Sequence, residues 1–105
     1  KYQALTQLPF VPGKEVSAPI TSGGKDVNRI EPGMRVMGFA KMGAYAERAL
    51  LDEADCYALP KGMPFTDAAA MGIAYQTAYI ALMDRGQLKR GETVLVDPPG
   101  VTAGP

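Results

Sequence analysis

Residues Gly33–Leu50 read GMRVMGFAKMGAYAERAL, and the pairing of this stretch decides the fold. Arg35-Val36-Met37-Gly38-Phe39 and Ala44-Tyr45-Ala46-Glu47-Arg48-Ala49-Leu50 are the clearest strands of the chain, short runs with apolar or aromatic positions and glycine at their borders. Ala40-Lys41-Met42-Gly43 between them reads as a hairpin loop. Upstream, Leu8-Pro9-Phe10-Val11-Pro12-Gly13, Ser22-Gly23-Gly24 and Glu31-Pro32-Gly33 supply repeated turn signals with no helical periodicity. Together these predict a compact β-sheet or barrel from Lys1 to about Leu59.

Downstream the texture changes after Pro60-Lys61-Gly62-Met63-Pro64. Thr66 suits an N-cap and Asp67 a first helical turn, so a short helix is predicted over Asp67–Met71. Gly72 interrupts it. A second helix is predicted over Tyr75–Asp84, where Tyr75, Tyr79 and Leu82, or Ala78, Leu82 and Arg85, recur at helical spacing. Arg85 and Gly86 make a C-terminal stop, Leu88 can pack back on the last turn, and Lys89-Arg90-Gly91-Glu92 is a solvated turn. Thr93-Val94-Leu95-Val96 then reads as a strand of the kind buried on both faces of a parallel sheet. The predicted class is α/β, or α+β if only a fragment is present.

Composition removes several function classes. The 105 residues amount to one small domain, and a chain that starts at Lys1 and stops soon after an apolar strand reads as a fragment or a processed piece. Its 11 basic and 11 acidic residues cancel without long runs of one sign, which argues against nucleic acid or an anionic membrane as partner. The charge-poor stretch Ala68–Met83 is too short and too polar to span a bilayer. One cysteine and no histidine exclude an internal disulfide, an ordinary zinc site, and any Ser-His or Cys-His nucleophile pair within the chain. A cytoplasmic location is the simplest expectation. The 6 methionines are scattered without a helical stripe and read as core gap-fillers, and Cys56, with no cation beside it in sequence, reads as inert.

The order of short motifs resembles the medium-chain dehydrogenase/reductase superfamily. They are Pro9-Phe10-Val11-Pro12-Gly13-Lys14-Glu15-Val16, Gly33-Met34-Arg35-Val36-Met37-Gly38-Phe39, Gly43-Ala44-Tyr45-Ala46-Glu47, Leu59-Pro60-Lys61-Gly62-Met63, Asp67-Ala68-Ala69-Ala70 and Leu88-Lys89-Arg90-Gly91-Glu92-Thr93-Val94-Leu95-Val96. The branch most similar is the zinc-independent quinone oxidoreductase group that includes zeta-crystallin. The resemblance implies a GroES-like β-barrel portion over residues 1–74 and the start of a nucleotide-binding Rossmann domain over residues 75–105, the chain being an interior slice of both. It further implies an enzyme that binds NADPH and passes hydride to a quinone or an activated alkene, and a full-length parent that is a homo-oligomer.

Site residues follow from the same resemblance. Lys14 stands where zinc-dependent relatives carry a histidine ligand, and a protonated, strongly hydrated amine is a poor ligand, so no metal is expected. Glu15 could order the floor of the site through hydrogen bonds, or Lys14 and Glu15 could be a structural or solvated pair. Tyr45 matches an aromatic that lines the substrate pocket, although an aromatic on a short strand is often core. Thr77 matches a threonine beside the nicotinamide, with Gln76 and Tyr79 as neighbours; the bland alternative is a hydroxyl bonded to its own helix.

Three departures stand against the pattern. Pro98 and Pro99 replace the glycine turn that gives N–H donors to a dinucleotide phosphate, and Gly100 and Gly104 do not restore the spacing. Ser17-Ala18-Pro19 occupies a place where the family has a glycine-containing strand, and Met34 one where it has an aspartate; Pro19 requires an edge or a bulge. The isolated chain is therefore expected to be inactive and to bind NADPH poorly. Two rivals remain open: a non-catalytic GroES-like binding or structural fragment, and an enoyl or acryloyl thioester reductase of the same superfamily.

Overall fold

The computed structural model describes residues 7–96. Three strands, β1 (Glu15–Pro19), β2 (Arg35–Phe39) and β3 (Cys56–Ala58), form one sheet in the order β1-β2-β3. Both pairings are antiparallel, with Glu15 opposite Phe39, Pro19 opposite Arg35, and Met37 opposite both Ser17 and Tyr57. Helix α1 (Phe65–Tyr79) follows and passes directly into a π-helical segment, Ile80–Arg85. No helix among the described residues is long and apolar enough to cross a membrane.

Alternation along β2 divides the sheet into two faces. Arg35, Met37 and Phe39 point toward α1. The Arg35 guanidinium lies 4.4 Å from the centre of the Phe65 ring and donates to the Met63 carbonyl, which ties the start of α1 to the start of β2. Tyr57 shares this face and meets Phe39 edge-on, with ring centres 6.1 Å apart. Val36 and Gly38 point the other way and are buried.

There the cover is mainly loop: Thr21–Gly24, Val27, Ile30, Ala44 and Ala46–Leu51 border a cavity of about 440 Å³. Glu53 pins this cover. Its Oε1 accepts the backbone N–H groups of Asn28, Arg29 and Ile30, and the Arg29 guanidinium donates to the Glu53 carbonyl at 2.6 Å. These bonds, chiefly the one from Arg29, hold the Glu53 carboxyl below its ordinary pKa.

The strand reading of Arg35–Phe39 is borne out, and among the described residues β1 is the outer strand, with Pro19 its last position, in keeping with an edge. The hairpin expected within Gly33–Leu50 does not form. Ala44–Leu50 is not a strand: Gly43 and Tyr45 donate to the Val11 and Pro12 carbonyls, and Ala44 donates to Gly13, which sits at φ 98°. A segment carrying a proline and a left-handed glycine cannot offer a regular ladder, so these bonds end after Tyr45. β2 takes Cys56–Ala58 as its second partner instead.

The helical region also differs from expectation. One helix, Phe65–Tyr79, replaces the two expected over Asp67–Met71 and Tyr75–Asp84. Gly72 does not interrupt it, because that glycine is buried against the sheet. A Cβ there would lie 2.9 Å from Glu15 Oε1, 2.9 Å from Phe39 Cε1 and 3.0 Å from Met37 Cε. The glycine thus serves a close approach, at about 1 kcal/mol of helix propensity relative to alanine. Nor is Thr66 the N-cap. Pro64 holds that position, and the Thr66 hydroxyl lies 3.4 Å from Asp67 Oδ1.

The stop at Gly86 is as expected, its N–H donating to the Ala81 carbonyl at 2.8 Å and the Leu88 N–H folding back to Leu82 at 2.9 Å. Gln87, rather than Gly86, takes the left-handed conformation at φ 48°, while Gly86 keeps φ −77° at a place where a Cβ would meet the Ala81 and Leu82 carbonyls at 2.9 and 3.0 Å. Lys89–Glu92 is a turn closed by Lys89 N–H to Glu92 Oε2 at 2.7 Å. Thr93–Val96 is not in a strand. Among the described residues no neighbouring strand offers it a ladder, and Leu95 is 93% exposed. The expectations that fall on Lys1, Pro98, Pro99, Gly100 and Gly104 lie outside the described residues.

Two outcomes follow from this packing. Gly38→Ala should lower stability by roughly 1–3 kcal/mol in chemical denaturation, because its Cβ would stand 2.8 Å from the backbone carbonyl of Asp55 and 2.8 Å from Leu51 Cδ1. Because the Glu53 carboxyl is depressed in the fold, its stabilisation is present above the unfolded value of about 4.3 and is lost as pH falls through the folded value. Glu53→Gln should therefore be less stable than the parent near neutral pH, and the gap between their denaturation midpoints should close on acidification below about pH 4.

Candidate functional site

The segment Gly13-Lys14-Glu15 lies at the centre of the site. Gly13 carries the left-handed turn into β1, and Tyr45 folds over it so closely that a Cβ on Gly13 would stand 2.5 Å from Tyr45 Cδ1 and 2.8 Å from the Tyr45 nitrogen. Tyr45 is anchored by its backbone, N–H to the Pro12 carbonyl at 3.0 Å, while its side chain is 77% exposed. An aromatic face held by main-chain bonds and left open to solvent is a usable wall for a flat ligand. It is neither a strand residue nor core.

Two residues further on, Glu15 reaches across to α1. Its Oε1 accepts the Ile73 N–H at 2.6 Å, a charge-assisted bond to an amide in mid-helix. Glu15 is therefore bonded to the helix backbone. Lys14 is exposed.

Gln76, Thr77 and Tyr79 are all exposed on the last turns of α1. Gln76 is one turn beyond Gly72, Thr77 one turn beyond Ile73, and Tyr79 two turns beyond Gly72. Helical side chains tilt toward the N-terminus, so these three overlie the part of the helix that is docked on the sheet. Tyr45 and Thr77 do not share the cavity beneath β2, which none of the four residues lines. They are linked instead through Gly13, Glu15, which also borders the cavity, and Ile73.

Sequence reasoning missed the ordering role of Gly72. A glycine within an otherwise helical pattern, at a point where a long-range carboxylate could arrive, was the available signal. Cys56 is 6% exposed and its Sγ lies 3.4 Å from the Asp52 carbonyl; burial pushes the thiol pKa up, and the Asp55 carboxylate adds to this. Among the described residues no three His, Cys, Asp or Glu side chains gather as a metal cluster.

The alcohol dehydrogenase GroES-like domain matches residues 1–61. A quinone oxidoreductase-like protein 2 homolog from Nematostella vectensis is 41% identical over 97 residues, covering 91% of this chain and 27% of that protein. The human quinone oxidoreductase is 38% identical over 96 residues, covering 90% of this chain and 29% of its own length.

Among solved structures, a probable oxidoreductase from Mycobacterium abscessus superposes with a TM-score of 0.81 at 37% identity, over 87% of this chain and 29% of that one. The human synaptic vesicle membrane protein VAT-1 homolog-like protein superposes with a TM-score of 0.79 at 35% identity, over 82% and 27%. The chain thus belongs to the alcohol dehydrogenase GroES-like domain family, within the medium-chain dehydrogenase/reductase superfamily and its quinone oxidoreductase branch. It spans little more than a quarter of the length of these relatives.

The state of Cys56 can be checked by thiol titration. In the native protein it should react with a disulfide reagent at least tenfold more slowly than a free thiol near pH 8, and at the full rate once the chain is unfolded in denaturant, because reaction requires the exposed thiolate.

Proposed function

We propose that the chain is part of an NADPH-dependent, zinc-free oxidoreductase that transfers hydride to a quinone or another activated alkene. The observation that carries this reading is the exposed Gln76, Thr77 and Tyr79 group on the docked helix, connected through Gly13-Lys14-Glu15 to the open aromatic face of Tyr45. The names of the quinone oxidoreductase relatives favour the acceptor class.

The donors present suit the nicotinamide end of the cofactor. Thr77 offers a hydroxyl and Gln76 an amide, both able to bond a carboxamide and fix which face of the ring is presented. Tyr79, also exposed, would border them. When bound, the nicotinamide supplies the hydride. The protein holds the acceptor against Tyr45, whose ring can stack on a planar conjugated system. No nucleophile forms a covalent bond, and with Lys14 in place of a histidine no metal polarises the acceptor. Residues 1–74 would form the GroES-like portion and residues 75–105 the start of the cofactor domain, in which Pro98-Pro99 stand in place of the glycine turn.

The test is NADPH oxidation by the full-length protein that carries this chain, measured with quinones and with enoyl thioesters, before and after treatment with a chelator. Quinone-dependent turnover insensitive to the chelator is expected. Preference for enoyl thioesters would replace the acceptor, and loss of activity on chelation would replace the mechanism. Thr77→Val should raise the KM for NADPH roughly three- to tenfold, the equivalent of one lost hydrogen bond.

A further inference from the structure

We propose that Glu15 is a positioning residue for hydride transfer: it fixes the height and rotation of Gln76 and Thr77 relative to the aromatic wall at Tyr45. This rests on the hydride-transfer reading above. The contact itself is unusual for a helix. The Ile73 N–H lies in the middle of an unbroken helix, where amides ordinarily serve only the carbonyl four residues earlier, and it also meets a carboxylate from the first residue of β1, at 2.6 Å. Glu15 is opposite Phe39 in the sheet, so its backbone cannot move without disturbing the β1–β2 register.

Three features give this bond leverage over the site. Gly72 leaves no side chain between α1 and the sheet, so the carboxylate reaches the helix backbone itself. Thr77 and Gln76 lie one turn beyond Ile73 and Gly72, directly over the clasped turn. Beyond Tyr79 the helix widens into the π segment Ile80–Arg85, which changes the rotation per residue, so the phase of Gln76–Tyr79 is set from the upstream side.

The same short segment holds the other half of the site. Tyr45 donates its N–H to Pro12 and packs on Gly13, while Glu15 holds Ile73. The spacing between the acceptor wall and the nicotinamide-facing residues is therefore transmitted through Gly13-Lys14-Glu15. A merely structural role is a poor explanation of this geometry, because the Arg35–Phe65 contact and the Met37 and Phe39 side chains already hold α1 on the sheet.

The experiment compares Glu15→Ala and Glu15→Gln in the full-length protein by steady-state NADPH oxidation with a quinone and by hydrogen exchange at the amides of residues 73–79. Glu15→Ala should lower kcat by roughly ten- to a hundredfold with the KM for NADPH within about threefold, as expected for misplacement rather than lost binding. Exchange at Ile73 and the following amides should accelerate. Glu15→Gln, which keeps an accepting Oε1, should recover kcat to within about threefold of the parent.

Unchanged exchange in Glu15→Ala would show that the clasp is not made in solution. Faster exchange with unchanged kcat would make it purely structural, and a Gln variant as impaired as the Ala variant would show that the accepting oxygen is not what matters; each overturns the proposal. A parent that does not oxidise NADPH with any quinone overturns the hydride-transfer reading, and the positioning role with it.

Discussion

How closely α1 can approach β1 and β2 is decided at one residue, Gly72. Glu15, Phe39 and Met37 all converge on the space a side chain there would occupy, so the glycine is what allows helix and sheet to meet backbone to side chain. That approach brings the Glu15 carboxylate within 2.6 Å of the Ile73 amide, and it sets which helical residues are covered and which stay open. The alternation of β2 does the rest. Arg35, Met37 and Phe39 serve the helix, and Val36 and Gly38 serve the loops and cavity behind. A five-residue strand thus separates two environments of different texture, one closed by a helix and one by turns.

Much of this was legible in the sequence, and the failures have physical causes. Arg35–Phe39 was visible as a strand because apolar residues and glycine borders agree there, and Pro19 announced an edge because it cannot donate to a ladder. Family motifs carried the resemblance that the GroES-like match and the quinone oxidoreductase relatives then supported. Ala44–Leu50 looked like a strand because local composition does not reveal the partner. Its actual partner, Val11–Gly13, contains a proline and a left-handed glycine. Gly72 looked like a break because helix propensity is a local quantity, and the close approach that keeps the glycine inside one helix is not local. Thr93–Val96 has the composition of a buried strand, but composition cannot supply the neighbours that make one.

The site was legible in part and for a different reason. Tyr45, Gln76, Thr77 and Tyr79 came from motif positions, and the fold leaves all four exposed. What the sequence could not convey was the link between Tyr45 and the helix, because the contact between Glu15 and Ile73 spans 58 positions. Long-range polar contacts of this kind leave no periodic trace. They become visible only when the sheet register places Glu15 at the end of β1 that faces Gly72.

The Arg35–Phe65 contact, introduced above as a tie at the start of α1, acquires a second meaning beside the clasp at Gly72. The helix is fastened to the sheet at two points seven residues apart, about 10 Å along its axis, and projects beyond the second. Among the described residues it behaves as a beam with two supports and an overhang that continues into Ile80–Arg85. A displacement of about 1 Å at the Gly72 support tilts the beam by about 6°, and five residues further, at Thr77, the overhang enlarges the error to nearly 2 Å. Small changes in β1 or β2 are therefore magnified at the helix tip, whereas equal changes at Phe65 are reversed in direction and reduced.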